Sequence, residues 1–246
     1  MSDTDFCWRA EMACRAAWPA DEEVAVAGLA LRRSGGTIRR TNSANALRGA
    51  PALDDTTIDR IEEFYRGHGQ GPRIRLMSID GLAADLLEAR GYEANGHTLT
   101  LHAGLDERHD GLGEEASKSS GPTDAWLAAR DRIAVSDGTT FRRMLSLIES
   151  ETLFSASFEE GEIVSIAYGV IHDGLLVIES VATQAHSRGR GLGKRTVGAL
   201  MRWARENGVR SAVLQVVGSN EPALALYRSL GFDRQLFDYR YLALAA

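Results

Sequence analysis

Two cysteines in 246 residues, Cys7 and Cys14, exclude a disulfide-stapled scaffold, and their place in a helix-like run suits buried filler better than a thiol nucleophile. No apolar stretch approaches the roughly 18 residues of a membrane span and no secretory apolar segment is recognisable, so the chain reads as reduced, soluble and cytoplasmic. Charge of one sign is not concentrated anywhere. With 28 Lys and Arg against 34 Asp and Glu the formal charge is −6, which excludes the basic stripe of an extended nucleic-acid interface and mildly favours cationic amine substrates. His97 and His102 have no cysteine or carboxylate at ligand spacing, so no metal site is expected. What is present is length and 44% apolar content, enough for one large or two small domains.

The most informative segment is Arg188-Gly189-Arg190-Gly191-Leu192-Gly193-Lys194, between an apolar strand-like run from Leu175 to Thr183 and an amphipathic helix-like run from Lys194 to Glu206. Closely spaced glycines let a backbone fold with its N–H groups turned inward, and a helix start adds free N–H groups and partial positive charge. Arg188, Arg190, Lys194 and Arg195 supply full charges, so the segment suits a pyrophosphate. A dinucleotide fingerprint fails because its third glycine falls on Lys194, and a Walker A loop fails because Arg188 and Arg195 occupy its required glycine and hydroxyl positions. The pattern R/Q-x-x-G-x-G/A is met by Arg188, Gly191 and Gly193.

Downstream, a buried strand from Ser211 to Val217 leads to a helix with Asn220 as N-cap, Pro222 in the first turn and Gly231 as the left-handed stop. Ala223, Leu226, Tyr227 and Leu230 form one buried stripe, so Tyr227 points inward. Glycine loop, strand and Asn…Tyr helix together resemble the GNAT N-acetyltransferase superfamily over roughly residues 140–244. The resemblance implies acetyl-CoA as co-substrate, no metal, and a cofactor site formed by Val181, Ala182, Thr183, Arg188, Gly189, Arg190, Gly191, Leu192, Gly193, Lys194 and Asn220. It also implies that Tyr227 sits by the thioester sulfur, where a phenol of pKa about 10 would act as acid to the leaving thiolate. Glu179 interrupts the apolar run before the loop. Strand alternation places it with Val181 and Thr183, which makes it the candidate for the amine proton, with chance placement at a sheet edge as the alternative.

Residues 106–123 are polar and rich in Gly and Ser, which marks a linker between residues 1–105 and 124–246. In the second part, helices are expected over Ala125 to Val135 and Thr139 to Glu149, around an Asp137-Gly138 break. Strands are expected over Thr152 to Phe158, Glu162 to Ile171 and Leu175 to Thr183, joined at Glu160-Gly161 and Asp173-Gly174, and Phe232 to Leu244 reads as a hairpin or one long bent strand. The whole is an α/β reading, a mixed sheet with helices on its faces. An internal comparison at an offset of 140 residues sets Arg48-Gly49 under Arg188-Gly189, Ile74-Arg75-Leu76 under Leu214-Gln215-Val216, and Gly91-Tyr92 under Gly231-Phe232. At the chemically important positions the first copy has Pro51 for Gly191, Leu53 for Gly193, Asp80 for Asn220 and Leu87 for Tyr227, so it reads as a degenerate GNAT half in a tandem protein.

The expected function is acetyl transfer from acetyl-CoA to a primary amine of a small molecule or peptide; the alternative is a catalytically silent acetyl-CoA-binding regulatory or protein-interaction module. Antibiotic, polyamine, amino acid, peptide N-terminus and lysine acceptors all stay open, as does a homodimer, and neither nucleic acid nor membrane is an expected partner. The Arg39-Arg40-Thr41-Asn42-Ser43 run either lines a cleft facing the second half or closes local turns. His186 and the cluster Glu159, Glu160 and Glu162 read as solvated loop residues.

Overall fold

The computed structural model describes residues 2–134 and 138–244. In chain order the elements are α1 (Asp3–Ala16), β1 (Glu22–Val26), β2 (Leu29–Arg33), β3 (Ser43–Ala46), α2 (Asp55–Gly67), β4 (Arg73–Met77), α3 (Asp85–Ala89) and β5 (Tyr92–Gly104). They continue with β6 (Ser117–Ser119), α4 (Asp124–Ile133), α5 (Gly138–Ser146), β7 (Glu151–Glu159), β8 (Glu162–His172), β9 (Leu175–Thr183), α6 (Leu192–Glu206), β10 (Ser211–Val217), α7 (Glu221–Arg228) and β11 (Arg234–Leu244). Val135 and Asp137, named in the expected helix end and break, lie outside the described residues. The closing segment is one strand with two register shifts, not a hairpin.

All eleven strands form one sheet in the order β1-β2-β3-β4-β11-β5-β10-β9-β8-β7-β6. Only β3 with β4 and β9 with β10 pair in parallel. The turns Glu160-Gly161 and Asp173-Gly174 have both residues at positive φ, 49° and 83° in the first and 47° and 67° in the second, the geometry that tight hairpins require. Helices α6 and α7 cover one face of the second half, with Val197, Leu200, Met201 and Ala204 of α6 buried among the strands. On the opposite face Trp126 of α4, Phe141 of α5 and the aromatic and small residues of α1 form the second core cluster. A third cluster lies under α2 and α3.

The two halves exchange their last strands. β5, from the first half, lies between β10 and β11, while β11, from the second, lies between β4 and β5. At the ends of these pairings Val217 lies opposite Thr98 and Met77 opposite Tyr239. Tyr92 of β5 therefore packs in the first-half cluster while Leu101 and Ala103 of the same strand pack under α6 and α7. Helix α1 crosses the junction. Its Glu11 meets Arg75 of β4 in a buried pair at 2.5 and 3.0 Å, and the Arg75 guanidinium stacks 3.7 Å from the Tyr239 ring centre. Removing one member of such a pair typically costs roughly 3–5 kcal/mol, because the other charge stays buried alone.

The segment 106–123 is a packed connector. His109 and Ala116 are buried, β6 adds an edge strand to β7, and Gly113 at φ 69° lies so close to α6 that a Cβ there would be 2.2 Å from the Ala199 nitrogen. The Gly and Ser content that suggests a free linker thus serves close approach to a helix.

Candidate active site

Strands β9 and β10 pair only from Leu176 opposite Ala212 to Ile178 opposite Leu214. Beyond that, β9 stays with β8 as far as Thr183, and β10 stays with β5 as far as Val217. The edge of β9 from Glu179 to Thr183 that faces β10 has no strand partner, so its backbone groups can pair with a ligand. The divergence begins at a bulge, where β9 advances three residues, from Glu179 to Ala182, while β8 advances two, from Tyr168 to Ile166. Ser180 takes the left-handed φ of 51° there. The bulge corrects the alternation expected from the sequence: Glu179 shares its face with Ala182, and Val181 and Thr183 turn to the other side.

Helix α6 begins on Gly191 at φ 79° with no side-chain cap. Its first internal bond runs from Arg195 N to Gly191 O at 3.0 Å, leaving the amides of Leu192, Gly193 and Lys194 without a helical acceptor. Gly189 is also left-handed, and a Cβ on Gly189 or Gly191 would meet nothing within 4 Å, so backbone conformation demands glycine and open space lies in front. At Gly193 a Cβ would stand 3.3 Å from Leu226 Cδ2 and 3.4 Å from Thr183 Oγ1, which draws the helix start close to β9 and α7. A cavity of about 670 Å³ fronts these groups. Its lining includes Val181, Ala182, Thr183, Arg188, Gly189, Gly191, Leu192, Gly193, Lys194, Asn220 and Tyr227. An uncapped helix start, two glycines and the cations of Arg188 and Lys194 fit a pyrophosphate.

Arg190 departs from the expected cofactor set. Its guanidinium pairs with Glu159 at 2.7 Å and lines a separate cavity with Glu160, Glu162 and His186. Arg195 is likewise engaged by Glu115 at 2.8 Å. In both cases a neighbouring carboxylate already neutralises the charge that the loop sequence offers. Arg188 also donates through Nε to Thr183 O at 3.2 Å, which holds its stem over the end of β9.

Asn220 caps α7, its side chain accepting from Ala223 N at 3.2 Å. Tyr227, about two turns along, is 6% exposed, and no hydrogen bond to its hydroxyl occurs among the described residues. Burial, with the Glu179 carboxylate as a second contribution, pushes its phenol above the ordinary tyrosine value, so it stays protonated. Val181, Asn220, Ala223 and Tyr227 line the cofactor-side cavity and also a second one, of about 420 Å³, on the other side of the divergence.

The second cavity is built by both halves: Trp18 after α1, Arg39 and Arg40 from the short turn at 39–41, Gly96 and Thr98 of β5, Glu179 of β9, and Tyr239 and Tyr241 of β11. Glu179, 4% exposed, pairs with Arg40 at 2.6 Å across 139 residues of sequence. Burial lifts its carboxyl above the ordinary glutamate range, and Arg40 pulls in the opposite direction. Arg40 lies over the Trp18 ring at 5.3 Å. Of the run from Arg39 to Ser43, the two arginines line the cavity while Asn42 closes the local turn, accepting from Ser34 N and donating to Gly35 O. Trp18, Tyr239 and Tyr241 were not singled out by sequence; the aromatic alternation of Phe237, Tyr239 and Tyr241 along one strand was the available signal.

A family model described as "Probable histone acetyltransferase Rv0428c C-terminal" matches residues 8–242. Mycothiol acetyltransferase of Saccharomonospora viridis is 30% identical over 105 residues, 39% of this chain and 34% of that protein, so the match spans about a third of the relative. Among solved structures, a GCN5-related N-acetyltransferase from Kribbella flavida superposes with a TM-score of 0.70 at 16% identity, covering 98% of this chain and 95% of that one. A tandem GNAT protein from the clavulanic acid biosynthesis pathway gives a TM-score of 0.62 at 14% identity, covering 95% and 86%. At these identities the solved structures establish the fold.

Proposed function

The chain belongs to the Rv0428c C-terminal family of GNAT N-acetyltransferases, and from that premise we propose that it transfers an acetyl group from acetyl-CoA to a primary amine by direct attack on the thioester. The observation that carries this reading is the meeting of two cavities at Tyr227, Asn220 and the unpaired edge of β9, one cavity fronted by the uncapped start of α6 and the other by Glu179. In this reading the α6 amides, Arg188 and Lys194 hold the pyrophosphate, and the free edge of β9 from Val181 to Thr183 aligns the pantetheine arm.

A backbone N–H on that edge polarises the thioester carbonyl, a type of contact that contributes roughly 3 kcal/mol to such barriers. Glu179 receives the proton lost by the attacking ammonium, and the amine nitrogen forms its bond to the carbonyl carbon. Tyr227 gives its proton to the departing sulfur as the C–S bond breaks, and the second proton shed by the acylated nitrogen returns to the Tyr227 phenolate, leaving a neutral amide and free CoA thiol. Residues 1–105 form a degenerate GNAT half, 106–123 the connector and 124–246 the catalytic half, with the first half shaping the acceptor side through Trp18, Arg39 and Arg40. The two free, buried thiols suit a cytoplasmic setting.

The test is release of free CoA thiol from acetyl-CoA by the purified chain with a panel of primary amines. Amine-dependent release is expected. Tight acetyl-CoA binding with no release on any amine would leave a binding module in place of the enzyme.

A further inference from the structure

Resting on the acetyltransferase reading, we propose that the acceptor amine carries a carboxylate, as an amino acid or an equivalent anionic amine does, and that Arg39, Trp18 and Tyr241 recognise that group in the cavity beside Glu179. The whole chain is acidic, yet this cavity is not. Among its described lining residues the charged groups are Arg39 and Arg40 against Glu179 alone, two cations to one anion. Arg40 is taken by Glu179 at 2.6 Å, and Arg75 beneath is taken by Glu11. Arg39 has no carboxylate partner among the described residues. Among the described residues its hydrogen bond runs from Nη1 to the Asn95 side-chain oxygen at 3.0 Å, and it lies 5.9 Å from the Tyr241 ring centre.

Its seat is shaped by the backbone. Gly96 is left-handed at φ 68°, and a Cβ there would stand 2.6 Å from Arg39 Nη1. Two further donors of residues lining the same cavity are buried and incompletely matched. Trp18 Nε1, in a residue 9% exposed, faces the Glu179 carboxylate, and the Tyr241 hydroxyl, in a residue 4% exposed, faces Tyr239, but neither makes a hydrogen bond of good geometry among the described residues. Buried polar groups are seldom left unpaired unless a ligand completes them. An N–H, an O–H and a free guanidinium all need acceptors, and a carboxylate offers two oxygens with about four lone-pair sites. A polyamine or a lysine-rich tail offers none, and would set its cations against Arg39 and Arg40.

The experiment compares matched acceptors, L-phenylalanine against L-phenylalaninamide and L-leucine against L-leucinamide, with spermidine as the cationic control, by CoA release. In parallel, calorimetry measures acetyl-CoA and, separately, N-acetyl-L-phenylalanine against its amide. We expect the carboxylates to be favoured about tenfold or more in kcat/KM and in product affinity, from charge-assisted bonds that the amides lack. Arg39→Gln should bring the carboxylate-to-amide ratio close to one. Tyr241→Phe should lower carboxylate affinity while leaving the melting temperature unchanged or raised, because it deletes an incompletely matched buried hydroxyl; a purely structural hydroxyl would show the reverse. Preference for the amides or spermidine, or an Arg39→Gln ratio equal to the parent's, overturns the proposal. Failure of acetyl-CoA to bind removes the acetyltransferase reading instead, and the product-affinity comparison still decides the anion preference.

Discussion

Helices α2 and α6 begin at corresponding points of the two halves, and they treat their N-termini in opposite ways. At α2 the chain supplies its own anion: the Asp54 side chain accepts from Thr57 N at 2.7 Å, and these hydrogen bonds hold its carboxyl below the ordinary aspartate value. At α6 the N-cap is Gly191, and no side chain among the described residues caps it. The surrounding substitutions agree. At the helix start Asp54, three residues beyond the Pro51 that the sequence comparison set under Gly191, takes the capping place; the Asp80 carboxylate turns back on Met77 N and Leu82 N where Asn220 lines both cavities, and the fully buried Leu87 stands in place of Tyr227. On the proposed two-half reading, the helix start is closed by a carboxylate in one half and has no side-chain cap in the other. The closed half contributes elsewhere, through Arg39, Arg40 and Trp18 at the acceptor cavity.

The sharpest way to break this contrast is to make α6 begin as α2 does. Gly191→Asp places a carboxylate at the helix start and forces a side chain into the left-handed region, at a cost of roughly 1–2 kcal/mol before any charge repulsion. Acetyl-CoA affinity, read by calorimetry, should fall by about two orders of magnitude or more. Next in size is Tyr227→Phe, which makes position 227 apolar as Leu87 is; kcat should drop about a hundredfold with the KM for acetyl-CoA little changed, as for loss of a general acid. An unaltered kcat would remove Tyr227 from the chemistry.

Glu179→Gln should have a smaller effect with a distinct pH signature. Burial raises the Glu179 carboxyl above the usual glutamate range, so the parent's kcat/KM should decline as pH falls through that raised value and Glu179 becomes protonated. The glutamine variant should be about tenfold slower at neutral pH and lack that ionisation; an intact acid limb assigns the proton to another group. Smallest is Asp54→Ala in the closed half. It should lower the melting temperature by a few degrees through loss of the cap, and leave acetyl-CoA binding as it was.

The open half was legible because its chemistry is local. Gly191 and Gly193 sit at the start of an amphipathic run and Asn220 caps a helix whose stripe includes Tyr227, so spacing marks each motif, and the resemblance to GNAT enzymes joins them into one site. β9 and β10 also have the expected limits, Leu175–Thr183 and Ser211–Val217. What was hidden depends on long-range contact or on backbone strain in ordinary residues. The bulge at Ser180 carries no glycine to announce it, and without it the alternation around Glu179 is misassigned. The pairing of Arg190 with Glu159 needs a hairpin turn brought against the loop, and that of Arg40 with Glu179 needs the first half laid against the second. The strand exchange of β5 and β11 left no local trace, because each strand has the same alternation whichever neighbour it pairs with.

The central claim is that one half of this chain, and not the other, holds the coenzyme at the start of its helix. Titrating acetyl-CoA into the intact chain by calorimetry tests it most directly. The account requires one molecule per chain, with affinity lowered by about two orders of magnitude or more by Gly191→Asp and preserved in Asp54→Ala. Two molecules per chain, none, or an affinity unchanged by Gly191→Asp would contradict it.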